Sequence, residues 1–474
     1  MPNYFIQKWL LPLVLLYLSF PLLAQNMPQP FLIVQQISIE GNKRTLNRIL
    51  LRELDFTLGD TLWLSDTATI FEHNRNKLFN TNLFVFVKIY AYPLQDSPPN
   101  THLKIEVKER WYLFPELIFD LADRNFNEWW YVRKRDLSRI NLGIRIKQYN
   151  MRGRNETLSA VVQGGFTNKY ELFYDIPYVN KKQNIGMGIG FSYSTNNKVG
   201  FATTQDQTAF FDTQQRNGRT RFYTKMRAWY RPQFYTTQFV ELQYHHNTIL
   251  DTIAALNPDY FLNGQTQQRY FMLLYDWVYD KRNIRYYATK GWYLKSEIVQ
   301  QGFYFPDPVA VTKIQTEYRH YFEINSHYSF AYKVQTKFSL QQKQPYNLYQ
   351  GLGYYDNFVR GYDVYVIDGQ HTGILRTTFR RKIIDIVYEN KWLHKSFKQF
   401  STVPLALYVK FFADAGYAHN PLQTQWNNQF TNRLLGGTGV GIDVVSYYDL
   451  IFRLEYSWND TGKSGFFFTV GSDF

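Results

Sequence analysis

Beyond residue 110 the chain alternates apolar and polar positions with a period of two, the signature of strands with one face in an apolar medium and one in a polar medium. Leu450, Phe452, Leu454, Tyr456 and Trp458 form a wholly apolar face, and Arg453, Glu455 and Ser457 hold most of the other. The same split separates Phe330, Tyr332, Val334 and Phe338 from Lys333, Gln335 and Lys337, and Ile140, Leu142, Ile144 and Ile146 from Asn141, Arg145 and Lys147. A β-sandwich with one solvated face would also alternate. Strands of roughly ten residues, the length a tilted strand needs to cross a bilayer, repeat to the end of the chain with no helix between them. Sixteen are expected, from one near 112–122 to one at 464–474. The predicted fold class is therefore mainly β, with a 16-stranded antiparallel transmembrane barrel over 111–474. An even count places both barrel ends on one side and makes 196–217, 249–266, 341–372 and 416–433 outer loops. The turn at 385–402 is long for the opposite side, and nothing in the pattern explains it.

The period changes ahead of the barrel. Between Phe31 and Glu109 it predicts strand, helix, helix, strand, strand, a small α+β domain over 31–110. Leu32 to Ile39 reads as a strand stopped by Gly41-Asn42, with Thr45 as N-cap of a helix through Ile49, Leu50 and Leu54. Ser65 is expected to cap a second helix through Leu78, before strands at Leu83–Tyr90 and Leu103–Val107. Residues 1–24 read as a signal peptide: Lys8 is the basic flank, Trp9 to Ala24 the apolar core, and Leu22-Leu23-Ala24 before Gln25 the cleavage site. That run is broken by Pro12 and Pro21 and falls short of the roughly 20 apolar residues of a spanning helix.

Composition narrows the class further. Apolar residues make up 45% of 474 and charged residues 19%, and the mean hydropathy is −0.40, too polar for a bundle of membrane helices. With 39 Tyr, 39 Phe and 11 Trp, aromatic residues reach 19%, which suits the two girdles of a membrane barrel. An aromatic-rich secreted sandwich remains open on composition alone. The absence of cysteine excludes disulfides, thiolate metal sites and Cys nucleophiles. The net charge of +14 is spread along the whole chain, so these residues are expected in lumen and loops, with no nucleic-acid partner.

No enzyme is expected, and no catalytic, cofactor-binding or metal residue is assigned. The chain has no Gly-x-Ser-x-Gly, phosphate loop or His-Glu-x-x-His, and the adjacent His245 and His246 point to opposite faces of a strand.

Three motifs carry resemblances. Residues 31–110 resemble a POTRA domain, whose members often open Ile-x-Ile-x-Gly-Asn-x-x-Thr and close Val-x-Glu-Arg. The matching residues are Ile37, Ile39, Gly41, Asn42 and Thr45, then Val107, Glu109 and Arg110. Loop 341–372 contains Val359-Arg360-Gly361-Tyr362, and Phe412-Ala413-Asp414-Ala415-Gly416 follows it in order. Together these resemble the BamA/TamA superfamily, where a Val-Arg-Gly-Phe/Tyr loop tip tucks into the lumen and its Arg pairs with a wall carboxylate. Alternation independently turns Tyr408, Lys410, Phe412 and Asp414 to one face. Such a pair gains roughly 4 kcal/mol of Coulomb attraction at about 4 Å and an effective dielectric near 20, before desolvation is subtracted. Ile374 stands where many members have Glu, which leaves Asp414 as the main partner expected for Arg360. Finally, Phe466, Phe468, Val470 and the terminal Phe474 share a face and resemble the C-terminal sorting signal of such barrels.

The resemblance implies a bacterial outer-membrane protein with its first domain in the periplasm and no cofactor. It implies an assembly, insertion or translocation factor with a lateral seam between its first and last barrel strands. Its expected partners are the lipid bilayer, unfolded outer-membrane or secreted client proteins, and periplasmic accessory proteins. A two-partner-type secretion channel for one dedicated partner, and a passive porin, are the alternatives. In the family a POTRA domain receives clients on a sheet edge; a spacer domain without that role is the alternative to it.

Overall fold

The computed structural model describes residues 30–94, 99–123, 128–214, 217–354, 357–389, 402–421, 428–446 and 450–471. The expected signal peptide, residues 1–24, and Phe474 lie outside them.

The N-terminal domain comprises β1 (Phe31–Glu40), α1 (Asn47–Leu51), β2 (Thr61–Trp63), α2 (Leu64–Phe79), β3 (Phe84–Pro93) and β4 (Asn100–Glu109). Its sheet runs β2-β1-β4-β3, with β1 parallel to β4 and the other pairs antiparallel. One face packs beneath the helices, where Val34, Leu50, Leu78, Leu103 and Ile105 are completely buried. The expected order of strand, helix, helix, strand, strand lacks β2, and three further expectations need correction. Leu46, not Thr45, precedes α1, and Leu54 lies beyond its end. Trp63, not Ser65, precedes α2, and β2 is too short to show a period. Thr45 is diverted because its hydroxyl donates to Glu109 at 2.6 Å, tying the start of the domain to its end.

The barrel begins with β5 (Leu113–Leu121), β6 (Ile140–Met151), β7 (Glu156–Gly165), β8 (Thr167–Ile176) and β9 (Ile185–Asn196). A separate hairpin follows, β10 (Lys198–Thr204) and β11 (Gln207–Asp212), inside what the sequence suggests is plain loop. The wall resumes with β12 (Arg219–Gln233), β13 (Thr236–Ile249), a short α3 (Asp251–Leu256), β14 (Gln267–Asp280), β15 (Gly291–Pro306), β16 (Val311–Glu323) and β17 (Tyr328–Ser339). It ends with β18 (His371–Glu389), β19 (Thr402–His419), β20 (Leu434–Ser446), β21 (Ile451–Asn459) and β22 (Ser464–Val470). These sixteen wall strands form one sheet in which each pairs antiparallel with its sequence neighbour, as the alternation predicts. Among the described residues no pairing joins β5 to β22, the two ends of the sheet.

Alternation decides which side chains meet lipid. On β21, Phe452, Leu454 and Trp458 face out and are exposed, while Arg453, Glu455 and Ser457 are buried inside. At the end bearing the N-terminal domain, outward rings touch in series along β14–β17: Tyr279 on Trp292 at 4.3 Å, and His320 on Phe322 at 4.1 Å. Such a belt suits a bilayer interface. The basic residues expected in lumen and loops include Arg360, Arg376, Arg380, Lys410 and Arg453, all buried.

Candidate functional site: a loop tip pinned inside the barrel

The loop between β17 and β18 folds back into the barrel, and lysines of the wall hold its backbone. Lys313 Nζ donates to Leu348 O at 2.7 Å and Lys337 Nζ to Gly369 O at 3.0 Å. At the tip, Arg360 makes a two-point contact with Asp414 of β19, Nε to Oδ2 at 2.8 Å and Nη2 to Oδ1 at 2.6 Å. Its backbone N–H adds a third bond to Oδ2 at 3.2 Å. Nη2 also donates to Thr377 O at 3.0 Å and Thr378 Oγ1 at 3.2 Å, and the guanidinium lies 3.9 Å from the Phe412 ring centroid. The side chains of Arg360 and Asp414 are 1% and 0% exposed. A fork held on both oxygens fixes orientation as well as distance, which a lysine cannot do.

A wider ionic network backs this contact. Arg360 Nη1 reaches Glu455 of β21 at 3.4 Å, Lys410 Nζ bridges Glu455 and Asp443 at 2.8 Å each, and Arg376 lies 3.5 Å from Asp414. The Tyr287 hydroxyl, from the turn after β14, donates across the barrel to Asp443 at 2.9 Å. Buried charges are stable only when paired and hydrogen-bonded, and here cations and carboxylates alternate. Glu455 supplies a second carboxylate from a different strand, while Ile374 is buried in the apolar cluster under the loop with Val359 and Tyr362. The alternation already turned Lys410 and Glu455 inward. What it could not reveal is which inward residues of different strands become neighbours.

The tip also needs space. Gly361 has φ +94°, and Asn459 Nδ2 donates to its carbonyl at 2.8 Å. Val359 packs onto Gly416, and a Cβ at Gly437 of β20 would stand 1.9 Å from the Arg360 carbonyl oxygen. Tyr362 is buried, bonds Asp460 through its hydroxyl, and packs edge-on against Phe430 at 5.1 Å. The seven expected residues Val359, Arg360, Gly361, Tyr362, Phe412, Asp414 and Gly416 thus converge in one place.

Loops at the end of the barrel away from the N-terminal domain meet over this site. At the tip of the β10–β11 hairpin, the Asp206 carboxylate accepts the N–H groups of Gln429 at 2.8 Å and Phe430 at 3.2 Å, and its carbonyl accepts that of Val366 at 2.8 Å. Burial raises the Asp206 carboxyl above its ordinary range, and those two N–H groups oppose the rise. Beneath the hairpin, Val199, Ile253, Tyr260 and Phe261 make an apolar cluster.

The remaining expected residues lie elsewhere. Phe466 and Phe468 point outward from β22, and the backbone of Val470 pairs with Phe452. Gly41, Asn42 and Thr45 form the turn after β1, with Asn42 Nδ2 donating to Thr45 O at 2.8 Å. Thr45 also accepts from Asn150 of the barrel at 2.8 Å, so this motif is part of a joint between domain and barrel. The strongest contact of that joint is Glu53 with Arg231, three bonds at 2.9, 3.1 and 3.1 Å, while Arg52 stacks 4.3 Å over Tyr178. Glu53→Ala is expected to weaken the docking of the domain by roughly 1.5–3 kcal/mol. The check is a broadened spin-label distance distribution between α2 and β16; an unchanged distribution would assign the docking to the other contacts.

The Omp85 superfamily domain matches residues 150–474, about two thirds of the chain. Among solved structures, BamA from Haemophilus ducreyi lacking POTRA domains 1–3 superposes with a TM-score of 0.52 at 16% identity, covering 93% of this chain and 84% of that one. CdiB from Escherichia coli does so with a TM-score of 0.54 at 11% identity, covering 93% and 76%. At such identities these likenesses concern the fold alone. No curated protein sequence matches. With a sixteen-stranded wall and a sequence match over most of it, the chain belongs to the Omp85 superfamily.

Proposed function

We propose that this outer-membrane barrel inserts or translocates client proteins through a lateral seam between β5 and β22. The observation that carries the reading is the open end of the sheet. Among the described residues β5 and β22 do not pair, and β22 has only seven residues. Closing a barrel normally satisfies every edge, so a short final strand with one open edge is where an incoming strand can be templated or admitted to lipid. The lumen does not offer an equal route, because the loop between β17 and β18 fills part of it, bonded to the inner wall at Asp414, Lys313 and Lys337. That filling also argues against a passive porin.

Residues 1–24 direct export in this reading, the N-terminal domain lies in the periplasm, and its exposed edge β3 receives unfolded clients by strand addition. Periplasmic accessory proteins would deliver them. Phe466, Phe468, Val470 and Phe474 are the chain's own sorting signal.

The chain lacks cysteine, so a cysteine pair placed across the seam is unique. Pairs scanned over Leu117–Leu121 and Gly465–Thr469 are expected, once oxidised, to stop assembly of outer-membrane proteins, and to restore it on reduction. If locked protein supports assembly or export at the unlocked rate, the seam is not the route and export through the lumen takes its place.

A further inference from the structure

Strands β18 and β19 outrun the rest of the wall at the end bearing the N-terminal domain. Pairing of β17 with β18 stops at Tyr328 and Arg381, whereas β18 and β19 stay paired as far as Glu389 and Thr402. The last contact on the β17 side is the Lys382 N–H donating to His327 O at 2.7 Å. A bulge between Lys382 and Ile384 then turns the ribbon out of line with β17. From Ile383 to Tyr388, about 20 Å at 3.3 Å per residue, the outer edge of β18 carries no strand among the described residues.

We infer that this edge accepts an extended, alternately apolar segment of a second polypeptide, which adds a strand to β18 in line with β17. Four features support that occupant. Backbone donors and acceptors on such an edge, met by water in the protein alone, are paired along its length by an added strand, which displaces that water. One face of the ribbon is apolar next to the edge, with Ile384, Ile386 and Tyr388, while the other carries Val387 beside Asp385, which pairs with Lys382; Val387 is 66% and Tyr388 58% exposed. The opposite edge of the same ribbon is treated differently. There β20 covers β19 up to Leu405, the next residue is Pro404, which has no N–H, and its carbonyl accepts the Ser446 hydroxyl at 3.3 Å. Thus one edge is blunted and the other is left able to pair. At its base lies a cavity of about 260 Å³ lined in part by Asn325, His327, Tyr328, Lys382 and Asp385, which gives the incoming side chains room. This edge is separate from the seam between β5 and β22, and neither proposal requires the other.

The test uses the full-length protein in lipid nanodiscs and a synthetic peptide with the sequence Leu450–Asn459 of this chain, whose apolar and polar residues alternate. A second peptide has the same side chains with alternate amides N-methylated. At about ten times its dissociation constant the first peptide is expected to slow hydrogen exchange about tenfold at those 383–388 amides that point away from β19. The methylated peptide is expected to leave them unchanged. Replacing the exposed pair, Ile384→Lys with Ile386→Lys, is expected to lower the response while the barrel keeps its heat-modifiable migration. Equal protection by both peptides would reduce the site to apolar adhesion, and no protection by either would remove it. If the outward-facing amides are already protected in the protein alone, the chain itself or a second copy occupies the edge, which would also overturn the proposal.

Discussion

Arg360→Ala is expected to free the loop between β17 and β18 from the barrel wall and to cost about 3–5 kcal/mol, the range for removing one partner of a buried ion pair. The cost falls on Asp414. Glu455 keeps Lys410 at 2.8 Å, whereas Asp414, its side chain completely buried, keeps Arg376 at 3.5 Å and the backbone N–H of residue 360 but loses both guanidinium bonds from Arg360. Arg360→Lys preserves the charge without the planar fork, and its loss is expected to be intermediate. Two measurements check this. The unfolding temperature of the barrel in detergent should fall in the order wild type, Lys, Ala. Trypsin added from outside should cut at Lys343, which is exposed, faster in the same order. A variant that loses stability without faster loop cleavage would show that Arg360 supports the wall alone and does not pin the loop.

The sheet was legible in the sequence because each wall strand has lipid on one side and charge on the other. Where that contrast fails, the reading fails too. Ile383 and Ile384 stand side by side because a bulge inserts one residue, so the period of two breaks and the strand reads as ending there. The real strand continues to Glu389, and the long turn expected at 385–402 shrinks accordingly. The β10–β11 hairpin turns through Gln205 and Asp206, both at positive φ, without the Asn-Gly or Asp-Gly pair that normally marks such a turn. At the site, Asp414 and Arg360 were found from motif and parity together. Glu455, Lys410 and Asp443 carry the correct parity, but their meeting depends on the register of three strands, which a single sequence does not encode locally. Thr45 illustrates the opposite case: its local chemistry favours a helix cap, and the more distant Glu109 claims its hydroxyl.

Gly437→Ala is expected to loosen the same loop tip as loss of Arg360, at a smaller cost, although it removes nothing. Gly437 is directly across from Asp414 in the β19–β20 ladder and faces the lumen, where the loop tip passes over it. An added Cβ would lie 1.9 Å from the Arg360 carbonyl oxygen and 3.1 Å from its carbonyl carbon. Those are backbone atoms held by the Asp414 fork, so they cannot move aside as the end of a flexible side chain would. Overpacking of this kind costs about 1–3 kcal/mol, and here the easiest relief is to lift the tip off the wall. The neighbouring Gly436→Ala is the matched control, because its Cβ would meet only Asp460 Cβ at 3.9 Å, an ordinary contact. Faster loop cleavage and a lower unfolding temperature are therefore expected for Gly437→Ala and not for Gly436→Ala. In the Arg360→Ala background the tip is already loose, so the second substitution should add much less than it costs alone, a coupling that a double-mutant cycle reads directly. Full additivity would mean that the two residues act on separate parts of the barrel and that the loop tip does not depend on the space Gly437 leaves.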